Sequence, residues 1–163
     1  MTERTFIESQ VSTHAYDSDG EVSRINQWEF IRKLGSGSFA EVRLAKDVEA
    51  KEGEEGMAAV KISNKSMLRK TRTMRKEGRK MVVQTALEKV HQEISLMKQM
   101  AHPNIVQLYE VIDDEEEDVI YMVLEYIPLG EIMSWDSDTL LYRWVFLSSS
   151  NAACMMLPLC VTS

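Results

Sequence analysis

Short apolar runs with strand periodicity surround one long segment with helical periodicity, and this pattern constrains the fold most. Leu87, Val90, Ile94 and Met97 recur at steps of three and four residues, which places them on one face of an amphipathic helix. The strand-like runs cover residues 30–34, 40–44, 58–62, 105–112 and 119–126. The sequence therefore predicts an α+β fold, in which a five-stranded antiparallel sheet packs with one main helix.

The two ends of the chain differ in composition from residues 25–143. Residues 1–24 are polar and acidic and contain no apolar run, so we expect a disordered tail. Residues 144–163 are apolar, contain serine and cysteine, and show neither helical nor strand periodicity. We interpret this divergent tail as the product of a splicing event or of a gene model. Its apolar stretch is much shorter than the roughly 20 residues of a membrane span, so we expect no membrane anchor.

Charge and cysteine content narrow the class of protein. A net charge of −7 argues against a general nucleic-acid binder, and 163 residues suffice for one domain with a core. Both cysteines, Cys154 and Cys160, lie within the last ten residues. Two such cysteines support neither a disulfide framework nor a metal site, so we expect a cytoplasmic, intracellular protein without a bound metal.

A glycine-rich turn joins the first two predicted strands. Gly35 and Gly37 lack side chains, which allows backbone N–H groups to approach phosphate oxygens closely. Taken alone, an ordinary Gly-Ser hairpin turn is the more frequent explanation of such a segment.

Lys61 places a cation in the middle of the apolar run Ala59-Val60-Lys61-Ile62. Burial of a charge is costly unless an opposite charge meets it. Glu93, at the rim of the apolar face of the predicted helix, is the best candidate partner. Two alternatives are about as frequent: Lys61 exposed on an edge strand, and Glu93 paired with Lys89 one turn earlier.

Two strongly charged segments flank these elements. Residues 65–80 contain one acid, Glu77, and eight basic side chains: Lys65, Arg69, Lys70, Arg72, Arg75, Lys76, Arg79 and Lys80. We favour a solvated loop for this basic insert, and the alternative is a docking surface for an acidic protein substrate or an anionic regulator. The six consecutive acids of residues 113–118 are interpreted as a charged hairpin tip.

Five motifs occur in the order and spacing of a known family. They are the glycine-rich loop, the Ala-Val-Lys-Ile strand, the helix glutamate, His-Pro-Asn-Ile-Val at residues 102–106 and Tyr-Met-Val-Leu-Glu-Tyr at residues 121–126. Together they resemble the small, N-terminal lobe of a eukaryotic-type protein serine/threonine kinase. Residues 26–28, the basic insert and residues 110–114 look most like the calcium/calmodulin-dependent protein kinase kinase group, which phosphorylates other kinases. Ala40 stands where the loop often has a third glycine.

The resemblance implies roles for individual residues in ATP binding. Lys61 and Glu93 would form the catalytic ion pair that orients the phosphates. Val42 and Ala59 would enclose the adenine, with Leu124 as gatekeeper, although core packing explains these three positions equally well. The backbone of Glu125 and Ile127 would bind the base, and Glu131 the ribose. The phosphate loop would comprise Leu34, Gly35, Ser36, Gly37, Ser38, Phe39, Ala40, Glu41 and Val42.

The same resemblance implies cofactors and partners: ATP with magnesium, a protein substrate such as another kinase, and, by resemblance only, calmodulin. It implies neither nucleic acid nor membrane as a partner. A kinase also needs a catalytic-loop Asp and an Asp-Phe-Gly motif, which the 163 residues do not contain. We therefore expect a truncated fragment without the large helical lobe, inactive on its own. The alternative is a non-catalytic binding module, or a truncated isoform, that competes for kinase partners.

Overall fold

The structure, a computed structural model, describes residues 5–51, 56–77, 80–128, 133–136 and 141–144. Two helices lie within these ranges, α1 (Lys65–Lys70) and α2 (Ala86–Gln99). The strands of the same ranges are β1 (Ile7–Ser9), β2 (His14–Tyr16), β3 (Val22–Ile25), β4 (Trp28–Ser36), β5 (Ala40–Asp47), β6 (Met57–Asn64), β7 (Arg72–Glu77), β8 (Lys80–Thr85), β9 (Leu108–Ile112), β10 (Val119–Glu125), β11 (Met133–Asp136) and β12 (Leu141–Trp144).

Eight of the described strands form one sheet in the order β1-β9-β10-β6-β5-β4-β3-β2. The five predicted strands are its centre, from β9 to β4, and pair antiparallel. The prediction of a five-stranded, purely antiparallel sheet was wrong at both edges. There β3 and β2 extend one side and β1 pairs parallel with β9 on the other. The remaining described strands form the separate hairpins β7–β8 and β11–β12.

The added strands come from residues 5–25, most of which were expected to form a disordered tail. Polar contacts with residues about a hundred positions away hold this segment on the sheet. The Ser9 hydroxyl donates to Glu110 Oε1 at 2.6 Å. The Ser12 N–H and hydroxyl both donate to Asp114 Oδ2, at 2.9 and 3.0 Å. Because these bonds join residues far apart along the chain, composition alone gave no sign of the order of this segment.

The two faces of the sheet carry two separate core clusters. Side chains alternate between the faces along each strand, so neighbouring residues such as Val123 and Leu124 enter different clusters. One cluster consists of Ile25, Trp28, Ala45, Ala58, Val60, Ile112, Tyr121 and Val123. The other, on the face that α2 covers, consists of Leu68, Val90, Ile94, Leu108, Val111, Ile120, Met122 and Leu124.

Helix α2 has the buried face that its periodicity predicts. Val90 and Ile94 are buried, and Leu87 and Met97 pack at the edge of the same cluster. A capping box starts the helix: the Glu88 N–H donates to the Thr85 hydroxyl oxygen at 3.2 Å, and the Thr85 N–H donates to Glu88 Oε2 at 2.8 Å. The helix ends at Gln99, before His102-Pro103. Its position on the sheet sets the position of Glu93.

The basic insert is not the solvated loop that we favoured, because it contains α1 and β7 and ends at Lys80, the first residue of β8, which pairs with β7. Lys65, its first basic residue, is only 4% exposed. The Lys65 ammonium donates to Asp113 Oδ1 at 2.9 Å and to the Asp114 carbonyl oxygen at 2.6 Å. Part of the acidic run therefore serves as the anchor of α1 and not only as a charged hairpin tip.

Burial of Ile94 is expected to be the main attachment of α2 to the sheet. Ile94→Ala should lower the free energy of unfolding by about 2–4 kcal/mol, because it leaves a cavity under the helix. The matched control is Leu96→Ala on the same helix, where the side chain is 59% exposed and the expected change is within about 0.5 kcal/mol. Urea unfolding followed by tryptophan fluorescence measures both. Equal losses at the two positions would contradict this packing.

Candidate functional site

The glycine-rich segment is the turn between β4 and β5. The Gly37 N–H donates to the Ala40 carbonyl oxygen at 2.8 Å and closes the turn, with Ser38 and Phe39 exposed at its tip. A Cβ added at Gly35 would meet no atom within 4 Å. The space beside Gly35 is therefore open, and a ligand can approach the backbone there without displacing protein atoms.

Lys61 lies on an interior strand of the sheet and not at an edge, which removes one alternative explanation of this residue. Strand β6 lies between β5 and β10, and Lys61 is directly opposite Val42 on one side and Met122 on the other. Directly paired residues project from the same face of a sheet. That face is the one that α2 covers, since Met122 belongs to the cluster that contacts the helix.

The Lys61 ammonium meets the carboxylate of Glu93 on α2. Lys61 Nζ lies 3.5 Å from Glu93 Oε2, and the two side chains are 15% and 35% exposed. This distance exceeds the roughly 2.7–2.9 Å of a tight charge-assisted hydrogen bond. An ion pair of this exposure contributes about 0–1 kcal/mol to stability. Its larger effect is to hold an ammonium group at a fixed place on the sheet face, where a second anion can share it.

The residues expected around an adenine lie on the same face. Ala59 is paired with Leu44 on β5 and with Leu124 on β10. Val42 and Ala59 are half-buried, so part of each is accessible. Leu124 is only 2% exposed and packs in the cluster under α2. Core packing accounts for the Leu124 side chain as it stands here.

The segment after β10 was expected to contact a base through its backbone. The Glu125 N–H donates to the Gln107 carbonyl oxygen at 2.9 Å, and the Gln107 N–H donates to Glu125 Oε2 at 3.1 Å. The N–H of Glu125 is thus engaged within the protein, and its carbonyl oxygen is the group to consider for a base. Ile127 is half-buried. Glu131 lies outside the described residues.

Glu41 connects the two strands of the glycine hairpin. Its carboxylate accepts a hydrogen bond from Lys33 Nζ on β4 at 2.9 Å and another from Arg43 Nε on β5. These bonds, first from Arg43 and then from Lys33, lower the pKa of Glu41 below its ordinary value. The structure gives Glu41 a bracing contact at the base of the turn, apart from any contact with a ligand.

Two residues of this region were missed by the sequence analysis. Met122 is the neighbour of Lys61 on the site face, and alternation along β10 from Leu124 would have placed it there. Gln107 holds Glu125 through two hydrogen bonds of the Gln107 backbone, one to the Glu125 N–H and one to the Glu125 carboxylate. The sequence offers no comparable signal for these bonds.

The site thus combines an open glycine turn, an ammonium group held by a helix carboxylate, and half-buried apolar side chains on one face of a sheet. Backbone N–H groups and a cation are the groups that bind phosphate oxygens in proteins. Within the described residues, no group of three or more His, Cys, Asp or Glu side chains is placed to hold a metal ion. In the same part of the chain, no helix has the length and apolar character needed to cross a membrane.

Comparison with known proteins is consistent with this geometry. A sequence model described as "Protein kinase domain" matches residues 28–158 of the chain. A probable serine/threonine-protein kinase of Dictyostelium discoideum is 44% identical over 110 residues, which are 68% of this chain and 14% of that protein. The serine/threonine-protein kinase ssp1 of Schizosaccharomyces pombe is 38% identical over 115 residues, which are 71% of this chain and 16% of that protein.

A third relative carries a more specific name. The calcium/calmodulin-dependent protein kinase kinase of Caenorhabditis elegans is 31% identical over 124 residues, covering 71% of this chain and 22% of that protein. The chain therefore spans less than a quarter of the length of each of these three relatives.

The brace at Glu41 predicts a pH dependence of stability. A carboxyl group whose pKa is lowered on folding stabilises the protein above its unfolded pKa, near 4.5, and this contribution disappears as the pH falls through the lower folded pKa. Glu41→Gln should therefore lower the free energy of unfolding by up to about 1 kcal/mol at pH 7, and by progressively less as the pH falls toward 3. Urea unfolding between these pH values measures the difference. The matched control is Glu29→Gln, at an exposed position of β4; an equal pH-dependent loss there would contradict the brace.

Proposed function

Because the chain belongs to the protein kinase family, we propose that it forms the ATP-binding part of a serine/threonine kinase, an enzyme that transfers the terminal phosphoryl group of ATP to protein hydroxyl groups. One observation supports this proposal most: Lys61 Nζ lies 3.5 Å from Glu93 Oε2, on the sheet face next to the glycine turn. A structural lysine needs no such combination, whereas phosphate binding needs a cation, backbone N–H groups and open space.

The residues of the site suit the separate parts of ATP. The open backbone at residues 35–39 would cover the phosphates, and Lys61 would bind them while Glu93 holds its ammonium group. Val42 and Ala59, which are half-buried, would contact the purine. The carbonyl oxygen of Glu125 would accept a hydrogen bond from the base. ATP itself supplies the phosphoryl group. The described residues offer no ligand set for magnesium.

The protein substrate and the regulation are finer proposals. The relative from Caenorhabditis elegans is named a calcium/calmodulin-dependent protein kinase kinase. On that ground we propose another protein kinase as the substrate class and calmodulin as a regulatory partner. A cytoplasmic location belongs to the same proposal, since ATP and such substrates are found together there.

A second candidate function is a non-catalytic binding module that competes for kinase partners. The β7–β8 hairpin favours it, because its Met74, Met81 and Val83 side chains are 74%, 62% and 53% exposed, at the C-terminal end of the basic insert and just beyond it. Large exposed apolar side chains of this kind occur at interaction surfaces. Retention of an acidic kinase by the purified chain, abolished by Met74→Ser/Met81→Ser, would favour this function over the first.

ATP binding by the chain should depend on Lys61. We expect weak, saturable binding of a fluorescent N-methylanthraniloyl ATP, and a loss of affinity of about tenfold or more in Lys61→Met, because one charge-assisted phosphate contact disappears. The control is Lys89→Met, at an exposed position of α2. Titration followed by fluorescence anisotropy distinguishes the variants. Identical affinities for all three proteins would refute a phosphate-binding role of Lys61.

We further propose that the 163-residue polypeptide transfers no phosphate by itself, since it contains neither a catalytic-loop Asp nor an Asp-Phe-Gly motif. Incubation with radiolabelled ATP, magnesium and a general kinase substrate should leave the substrate unlabelled, while a complete kinase labels it. Robust labelling that Lys61→Met abolishes would show that this proposal is wrong.

A further inference from the structure

The N-terminal strand reaches helix α2 at the helix end that follows Glu93. Lys98 Nζ donates to Glu8 Oε2 at 2.8 Å and lies 4.7 Å from the centroid of the Phe6 ring. Phe6 is half-buried and packs at the edge of the core cluster under α2. One short segment thus supplies an ion pair and a cation–π contact to Lys98 of the helix, and an apolar contact to the cluster that the helix covers.

The same segment is firmly attached to the sheet. In β1, Ile7, Glu8 and Ser9 pair in parallel register with Glu110, Val111 and Ile112 of β9. Beyond this ladder, the Asp113 N–H donates to the Ser9 carbonyl oxygen at 3.0 Å, and the Ser9 hydroxyl donates to Glu110. Residues 6–9 therefore bridge the sheet edge and the helix, and a movement of α2 away from β9 must break contacts with them.

The helix transmits this attachment to the site. Lys98 follows Glu93 by five residues, which corresponds to about 7.5 Å along an α-helix. A helix segment of this length is stiff, so an attachment at Lys98 restricts the position of Glu93. The Lys61–Glu93 contact of 3.5 Å is long and contributes little stability of its own. This ion pair alone does not hold α2 on the sheet, so other contacts must keep the helix in place.

We propose that residues 6–9 are a clamp, in which Phe6 and Glu8 are positioning residues that hold α2 against the sheet and keep Glu93 within reach of Lys61. The clamp acts on the ion pair whether or not a ligand is bound. An effect of the clamp on ATP binding rests on the proposed function, in which the Lys61 ammonium, held by Glu93, binds the phosphates.

Zero-length cross-linking of the full 163-residue chain tests the clamp without nucleotide. A water-soluble carbodiimide joins an amine and a carboxylate only when they are in contact, and peptide mass spectrometry quantifies the Lys61–Glu93 link. The internal reference is the Lys33–Glu41 link of the glycine hairpin, where the two groups are 2.9 Å apart and outside α2. The reported value is the ratio of the two links.

Loss of the clamp should lower this ratio selectively. We expect a decrease of about threefold or more in Phe6→Ala and in Lys98→Glu, a value typical of coupling between neighbouring contacts. Phe6→Leu should keep most of the ratio. The charge exchange Glu8→Lys/Lys98→Glu should restore it relative to Lys98→Glu, because the ion pair forms again with opposite polarity. If Glu8 and Lys98 contributed to folding independently of each other, the charge exchange would not restore the ratio.

Several outcomes would overturn the clamp. One is an unchanged ratio in Phe6→Ala and Lys98→Glu, and another is failure of the charge exchange to restore it. If Phe6→Ala loses both the Lys61–Glu93 link and the Lys33–Glu41 reference link, the variant has failed to fold. Glu8→Gln then decides, because the Glu8 side chain is 55% exposed and its replacement leaves no cavity. A ratio unchanged in that variant refutes the clamp, and a decrease supports it. Absence of ATP binding with an intact, clamp-dependent Lys61–Glu93 link would instead contradict only the proposed function.

Discussion

A lysine ammonium on an apolar sheet face needs an anion nearby, and this requirement connects the sheet, the helix and the glycine turn. Lys61 lies between Val42 and Met122 on an interior strand, and its side chain is 15% exposed. The desolvation of a charge at such a position is offset only by an opposite charge. Glu93 supplies this charge from α2, so burial of the helix face on the sheet and orientation of the ammonium group depend on each other.

A buried carboxylate fixes the edge of the sheet that β1 and β9 form. Glu110 on β9 is 2% exposed and accepts hydrogen bonds from Trp28 Nε1 at 2.7 Å, from Gln27 Nε2 at 3.0 Å and from the Ser9 hydroxyl at 2.6 Å. These three donors belong to β1, to β4 and to the turn before β4. A satisfied buried carboxylate favours one arrangement of its neighbours, because each displaced donor leaves a charge poorly solvated. The edge to which β1 attaches is therefore well defined.

The sequence predicted the elements whose apolar residues repeat with a clear period. The stripe from Leu87 to Met97 predicted α2, and alternation along residues 58–62 correctly placed Lys61 and Val60 on opposite faces. The N-terminal strands were missed because three- and four-residue strands show no measurable period, and the bonds of Ser9 and Ser12 join residues about a hundred positions apart. The buried pair Lys65–Asp113 was hidden for the same reason, since each residue sits in a run of like charge that resembles a solvated surface.

The coupling between Lys61 and Glu93 is the central claim, and a double-mutant cycle on the affinity for fluorescent ATP measures it most directly. The four proteins are the original chain, Lys61→Met, Glu93→Gln and the double variant. If Glu93 acts by orienting the ammonium group, the double variant binds no more weakly than Lys61→Met alone, and the cycle gives a coupling of at least about 0.5 kcal/mol. Strictly additive losses would show that the two side chains act independently and would contradict the account.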